Sequence, residues 1–118
     1  MPLSQGDSQF KVSWPSNTTP QAPDGSGTTR ATLCGFTVEN NAAASRAVKF
    51  YDKASSPTVG TDIPKRTVIV PAGQTFVAEF RRGKTFQSGL WVSVTVNAAD
   101  ADATAPTAGD IILTVDFG

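Results

Sequence analysis

The chain has 118 residues, contains no histidine, and carries ten acidic and ten basic side chains, so its formal net charge is zero. This length predicts a single domain with its own hydrophobic core. Because DNA and anionic membranes attract a basic excess, the balanced charge argues against either as the main partner. The absence of histidine removes the commonest general base and metal ligand, and a lone cysteine excludes an internal disulfide.

The beginning of the chain predicts an extended N-terminal arm, residues 1–28, ahead of a β domain at 29–118. One short strand is expected in the arm at 9–14, where apolar side chains including Phe10 and Trp14 alternate with polar ones. The rest of the arm has no periodicity and is rich in turn-forming residues, which is typical of a loop or a disordered segment. Two interpretations remain open: a mobile arm, or an arm that docks on a neighbouring subunit through Trp14 or Phe10.

The next predicted strand, Thr29 to Glu39, contains the single cysteine. Alternation places Cys34 on the same face as Phe36 and Val38, so we expect it in the core, where cysteine is often found. A catalytic thiolate would need a neighbouring base, and the chain has no histidine to supply one.

The stretch from Ala47 to Val70 predicts two strands joined by a polar crossover. Val48 and Phe50 share one face of the first strand, and the second strand, from Thr67, is entirely β-branched. The crossover between them is rich in Pro, Gly, Ser and Asp, which favour turns.

A tight turn is predicted at 71–73, where Pro-Ala-Gly precedes a strand at 74–80. Arg81, Arg82 and Lys84 then form the one basic cluster of the sequence. We consider two interpretations: a solvated hairpin tip, or an electrostatic contact with an acidic patch on a partner. A cluster this small, with no basic face elsewhere, argues against nucleic-acid binding.

The last two predicted strands are 90–96 and 110–117, both with clean alternation. Trp91 lies on the face opposite the apolar row of its strand, so it belongs either to a second core or to an interface. Asp100 and Asp102 are spaced like calcium ligands, but their Ala-rich loop lacks the further oxygen ligands that calcium needs. We therefore predict no metal site.

About seven strands and no convincing helix predict an all-β fold: an antiparallel β-sandwich or jelly roll of about seven to eight strands with an extended N-terminal arm, a small barrel being the alternative. The acidic residues are scattered, mostly at turns, and no phosphate loop, cysteine pair or dinucleotide fingerprint is present. We expect no enzyme and no cofactor. The predicted core consists of Val48, Phe50, Phe76, Phe80, Val92, Val94, Leu113 and Val115.

Three stretches carry a resemblance to a known class of proteins. The strand–crossover–strand VKFYDKASSPTVGTDIPKRTVIVPAG (48–73), the later FRRGKTFQSGLWVSVT (80–95) and the Asp-rich loop before DIILTVDFG resemble β-sandwich modules in small structural proteins of tailed bacteriophages. The similarity covers roughly residues 43–118. Its motifs are structural and contain no catalytic signature.

The resemblance implies a virion component, made in the bacterial cytoplasm, that binds the major capsid protein or other virion subunits. A lone small domain with a polar arm favours a capsid decoration (cement) protein, which we expect to form a homotrimer on the shell. The alternatives are a tail, neck or host-adhesion component, or a carbohydrate-binding β-sandwich that uses Trp14, Trp91 and Tyr51 as stacking platforms. The candidate partner-interface residues are Phe10, Trp14, Trp91, Arg81, Arg82 and Lys84.

Overall fold

A computed structural model describes residues 8–118 and forms an all-β sandwich of two antiparallel sheets. The predicted all-β sandwich is therefore confirmed, while the first seven residues of the predicted arm lie outside the described residues. Within residues 8–118 the strands are β1 (Ser8–Ser13), β2 (Ala31–Asn40), β3 (Arg46–Asp52), β4 (Arg66–Val70), β5 (Thr75–Phe86), β6 (Leu90–Thr95) and β7 (Ile111–Phe117).

The strands of the two sheets are connected in the order of a jelly roll in which one strand is reduced to a single bridge. The four-stranded sheet has the order β1-β7-β2-β5, and the three-stranded sheet has the order β4-β3-β6. Gln21 adds an antiparallel bridge on the outer side of β6, exchanging two backbone hydrogen bonds of 2.9 Å with Val92. Counting this bridge as a fourth strand produces the double Greek key of an eight-stranded jelly roll.

Residues 8–28, predicted to be part of an extended arm, lie against the sandwich. β1 pairs with β7 over its full length, from Ser8 opposite Phe117 to Ser13 opposite Ile112. Trp14, which follows β1, is 0% exposed, and its indole Nε1 donates to the backbone oxygen of Asn17 at 2.8 Å. Burial in the core corrects our expectation that Trp14 lies at a partner interface, because the whole ring is already covered by its own chain.

The core between the sheets is built by the alternation read from the sequence. Six of the eight predicted core side chains are fully buried, and the two exceptions, Phe76 and Phe80, lie on the edge strand β5. Phe36 lies at the centre of the aromatic packing: its ring centroid is 5.1 Å from that of Phe50 and 5.8 Å from that of Phe76. Edge position therefore accounts for the incomplete burial of Phe76 and Phe80.

A β-bulge in β2 changes which side chains face the core. Leu33 pairs with Phe117 and Gly35 with Asp116, so β2 carries one extra residue relative to β7. The extra residue reverses the alternation, and both Leu33 and Phe36 point inward. Cys34 is therefore only half-buried, with its sulfur 3.8 Å from the oxygen of Thr32, which corrects its predicted place in the core.

Loops cover the outer face of the three-stranded sheet. Lys49 is fully buried there, and its Nζ donates to the backbone oxygens of Ala99 (2.7 Å) and Asp102 (3.0 Å) in the loop after β6. Burial lowers the pKa of Lys49, and this effect is opposed by the nearby carboxylates of Asp102 and Asp100. The ammonium group thus ties the loop after β6 onto the sheet.

We expect Trp14→Ala to lower the free energy of unfolding by about 3–5 kcal/mol, because it removes a buried indole and leaves a cavity. Urea unfolding followed by circular dichroism measures this change. Phe10→Ala, on β1 and only partly buried, is the matched control and should lower the free energy of unfolding by a smaller amount. A loss below about 1 kcal/mol for Trp14→Ala would contradict the burial of this ring.

Candidate interaction surface

The sandwich leaves two strand edges open on the same side. β4 is an outer strand of one sheet and β5 an outer strand of the other, and a turn joins them in which the N–H of Gln74 donates to the oxygen of Pro71 at 3.2 Å. Gly73 adopts a φ of 68°, as the predicted tight turn requires. The guanidinium carbon of Arg66 on β4 lies 5.2 Å from the ring centroid of Phe80 on β5. The two edges therefore lie side by side.

The opposite edge of the three-stranded sheet is covered by the N-terminal segment. Besides the Gln21 bridge, the hydroxyl of Ser93 donates to the backbone oxygen of Thr18 at 2.7 Å. Trp91 is half-buried, and its Nε1 donates to the backbone oxygens of Gly27 (2.8 Å) and Lys53 (3.0 Å). Trp91 therefore fastens the segment to β6, a structural contact within this chain.

The large apolar side chains that residues 8–118 expose lie on β4, on β5 or on the loop that leads into β4. Their exposed fractions are 77% for Ile63, 58% for Ile69, 36% for Phe76 and 63% for Val77. Along 75–80, the outer backbone edge of β5 makes no hydrogen bond to any other described residue. We define these four side chains and the edges of β4 and β5 as the open side.

The basic residues predicted at a hairpin tip lie instead inside β5, which runs without interruption from Thr75 to Phe86. The pairs Gly35–Glu79 and Leu33–Lys84 are two residues apart on β2 and five residues apart on β5, so β5 bulges outward between them. Gly83 permits this with a φ of 72°. The bulge corrects the hairpin-tip interpretation and keeps the cations on the open side.

The structure adds a fourth cation to this group. Arg66 on β4 and Lys84 on β5 both lie against the ring of Phe80, at 5.2 and 5.6 Å from its centroid, within cation–π range. We define the basic cluster as Arg66, Arg81, Arg82 and Lys84, all exposed, none of which forms an ion pair with an acidic side chain in the described part of the chain. The sequence does not identify Arg66 as part of this cluster, because only the packing of the two sheets brings it to Phe80.

The neighbouring Lys65 is not part of this cluster, because it has an acidic partner. Its Nζ lies 3.6 Å from the carboxylate of Asp52, which also accepts hydrogen bonds from the N–H groups of Ser88 (2.8 Å), Gly89 (3.3 Å) and Gln87 (3.1 Å). Burial raises the pKa of Asp52, but these N–H groups and Lys65 lower it more, so it lies below its ordinary value. The carboxylate therefore holds the turn between β5 and β6.

The acidic loop after β6 is held together by hydrogen bonds to one of its own carboxylates. The carboxylate of Asp102 accepts from the N–H of Asn97 (3.0 Å) and the hydroxyl of Thr104 (2.8 Å) within its own loop. Among residues 8–118, no group of three His, Cys, Asp or Glu side chains is placed to hold a metal ion. The described residues also include no helix long and apolar enough to cross a bilayer.

The structure separates the predicted interface residues into two groups. Arg81, Arg82 and Lys84 are exposed together on β5, whereas Phe10 packs against the core and, as described, Trp14 and Trp91 are engaged within the chain. Neither a protein-family model nor the sequence of a curated protein matches this chain. The open side and its basic cluster are the candidate functional site.

We expect Asp52→Asn to lower the free energy of unfolding by about 2 kcal/mol at neutral pH, because an uncharged amide replaces a carboxylate that accepts three N–H groups. Since the folded pKa of Asp52 is depressed, its contribution is present above its ordinary pKa and is lost as the pH falls through the folded value. Urea unfolding at neutral and acidic pH should therefore show the two proteins converging in acid. Glu39→Gln, on an exposed carboxylate with no ion pair among the described residues, is the control; a difference that does not depend on pH would contradict the assignment.

Proposed function

We propose that this chain is a non-catalytic structural subunit of a bacteriophage virion, specifically a capsid decoration (cement) protein that binds neighbouring subunits through its open side. The observation that carries the proposal is that β4 and β5, two outer strands with an unpaired edge, carry three of the four exposed large apolar side chains and all four cations of the basic cluster. Proteins protect such edges and patches unless a partner covers them.

The assignment to a phage particle is supported by the resemblance of residues 43–118 to phage virion modules. The jelly-roll topology agrees with this assignment, because this architecture recurs in viral capsid domains. Lectins share the architecture, however, so the fold does not by itself decide the function. The functional assignment therefore depends on the open side.

The mechanism of a cement protein follows from linkage. A subunit that binds the assembled shell, and binds the separate capsid subunits weakly, stabilises the assembled state by its binding free energy. In the homotrimer that we propose, each copy presents one surface to a different surface of the next, and the ring closes after three contacts.

Carbohydrate binding, the second candidate, finds less support in the geometry. Aromatic platforms for sugars must present a ring face to solvent, but Trp14 and Tyr51 are fully buried. Trp91 is half-buried, with both hydrogen bonds of its Nε1 made inside the chain. Subunit binding uses surface that is exposed, and we favour it for that reason.

Co-sedimentation with particles tests the proposal. Purified chain is mixed with phage shells that lack it and, separately, with isolated tails, and bound protein is measured in the pellet. We expect binding to shells and an increase in the temperature at which they open. Binding to tails alone would identify the protein as a tail component. Retention on a polysaccharide array without binding to particles would establish the glycan alternative.

We expect Val77→Lys to weaken shell binding by at least about tenfold, since an interface over this side chain would have to bury an ammonium group. Ala105→Lys introduces the same charge on the exposed loop after β6 and should bind like the unmodified chain. Both variants should unfold at the same urea concentration as the unmodified chain, because both positions are exposed. Equal shell binding by the two variants would contradict the role of the open side.

A further inference from the structure

We infer that β5 accepts an added strand: an extended, acidic segment of a neighbouring protein pairs with residues 75–79 and directs its carboxylates to the basic cluster. This inference rests on the proposed function and specifies the kind of partner that the open side binds. The occupant is a peptide segment that contributes a fifth strand to the four-stranded sheet.

The backbone of β5 offers a template for this addition. Residues 75–79 are paired with β2 on one side only, from Thr75 opposite Glu39 to Glu79 opposite Gly35. Their outer backbone groups have no hydrogen-bonding partner among the described residues. In strand addition, main-chain hydrogen bonds provide affinity, and alternate side chains provide specificity.

Other edges are less suitable. The outer edge of β1 is also unpaired, but neither an exposed large apolar side chain nor a member of the basic cluster lies on that strand. The edge of β6 already carries the Gln21 bridge. β4 carries only one member of the basic cluster, Arg66, and the oxygen of Val70 at its end accepts a hydrogen bond from Nδ2 of Asn40 at 2.9 Å. Beyond Glu79, the outward bulge of β5 interrupts a regular ladder. These features limit the addition to the first part of β5.

The exposed side chains of β5 predict the sequence of the added strand. Val77 is directed away from the core and is 63% exposed, whereas Phe76, on the alternate face, stacks on Phe36 and is 36% exposed. Both would be covered by β-branched or aromatic neighbours on an added strand. The partner segment should therefore carry apolar side chains where it passes these two positions.

Charge predicts the orientation of the segment. Every strand pair in this sheet is antiparallel, and an antiparallel addition places the N-terminal end of the new strand beside the bulge of β5. Carboxylates that extend past Glu79, which is itself acidic and exposed, face Arg81 and Arg82, which have no ion-pair partner among the described residues. A basic segment would be repelled by the same cations, so charge discriminates between partners.

Peptides of about ten residues test the inference, a length typical of strands. The probe begins with a pair of aspartates and continues with alternating valine and threonine; one control has lysines in place of the aspartates, and a second has proline at its central valine. Binding to the full isotope-labelled chain is followed by NMR. We expect the aspartate peptide to shift the amide signals of 75–79 and to slow hydrogen exchange at alternate amides among them.

Variants of the chain test the charge contact. Arg82→Glu should weaken binding of the aspartate peptide by at least about fivefold and reduce its salt dependence. Lys11→Glu makes the same charge reversal at an exposed position on β1, the other edge strand of the sheet, and should have little effect. The proline peptide should bind weakly, because it cannot complete the ladder.

Several results would overturn the inference. These are equal binding of the lysine and aspartate peptides, amide shifts confined to other strands, or no binding of the aspartate peptide. If the chain self-associates without peptide and Val77→Lys abolishes this association, the edge binds a second copy. If a DNA oligonucleotide binds more tightly than the aspartate peptide, the cluster binds nucleic acid. Shell co-sedimentation is measured in parallel: shell binding without peptide binding rejects strand addition alone, whereas absence of shell binding rejects the proposed function.

Discussion

Two sheets stacked face to face expose a row of unpaired backbone N–H and C=O groups at each outer strand. The need to provide these groups with hydrogen-bond partners is the constraint on which this structure depends. At the outer edge of β6 the chain does so itself: its N-terminal segment runs along this strand and pairs there through Gln21. The outer edges of β4 and β5, like that of β1, are left without a strand partner. The open side is therefore a consequence of how far one chain can cover its own edges.

The distribution of charge follows the same division. Three cations away from the open side are engaged within the chain: Lys49 with loop carbonyls, Arg46 with Asp110 at 3.0 Å, and Lys53 with Asp62 at 2.8 Å. The basic cluster has no such contacts among the described residues. A net charge of zero thus conceals a local excess of positive charge, and that excess coincides with the exposed apolar side chains. An electrostatic contact can orient a partner, while apolar contact can hold it.

The bulges of β2 and β5 show how local irregularity shapes the surface. In β2, one extra residue allows both Leu33 and Phe36 to face the core, at the expense of Cys34. Gly35 is needed there because a Cβ at this position would lie 2.6 Å from the backbone oxygen of Ala78. In β5, the larger bulge begins after Glu79 and contains Arg81 and Arg82, so 75–79 keep a regular register with β2. A regular pleat would distribute these side chains differently.

The sequence by itself determined the fold class and most strand positions, because alternation with a period of two is a local property that any half-buried strand must show. It also identified Arg81, Arg82 and Lys84 as a group, since they are neighbours in the chain. Only the tertiary structure decided that Trp14 is buried, that Arg66 joins the cluster, and that β5 is an edge. Burial and edge position depend on which distant strands become neighbours, and alternation within one strand carries no information about the strand beside it.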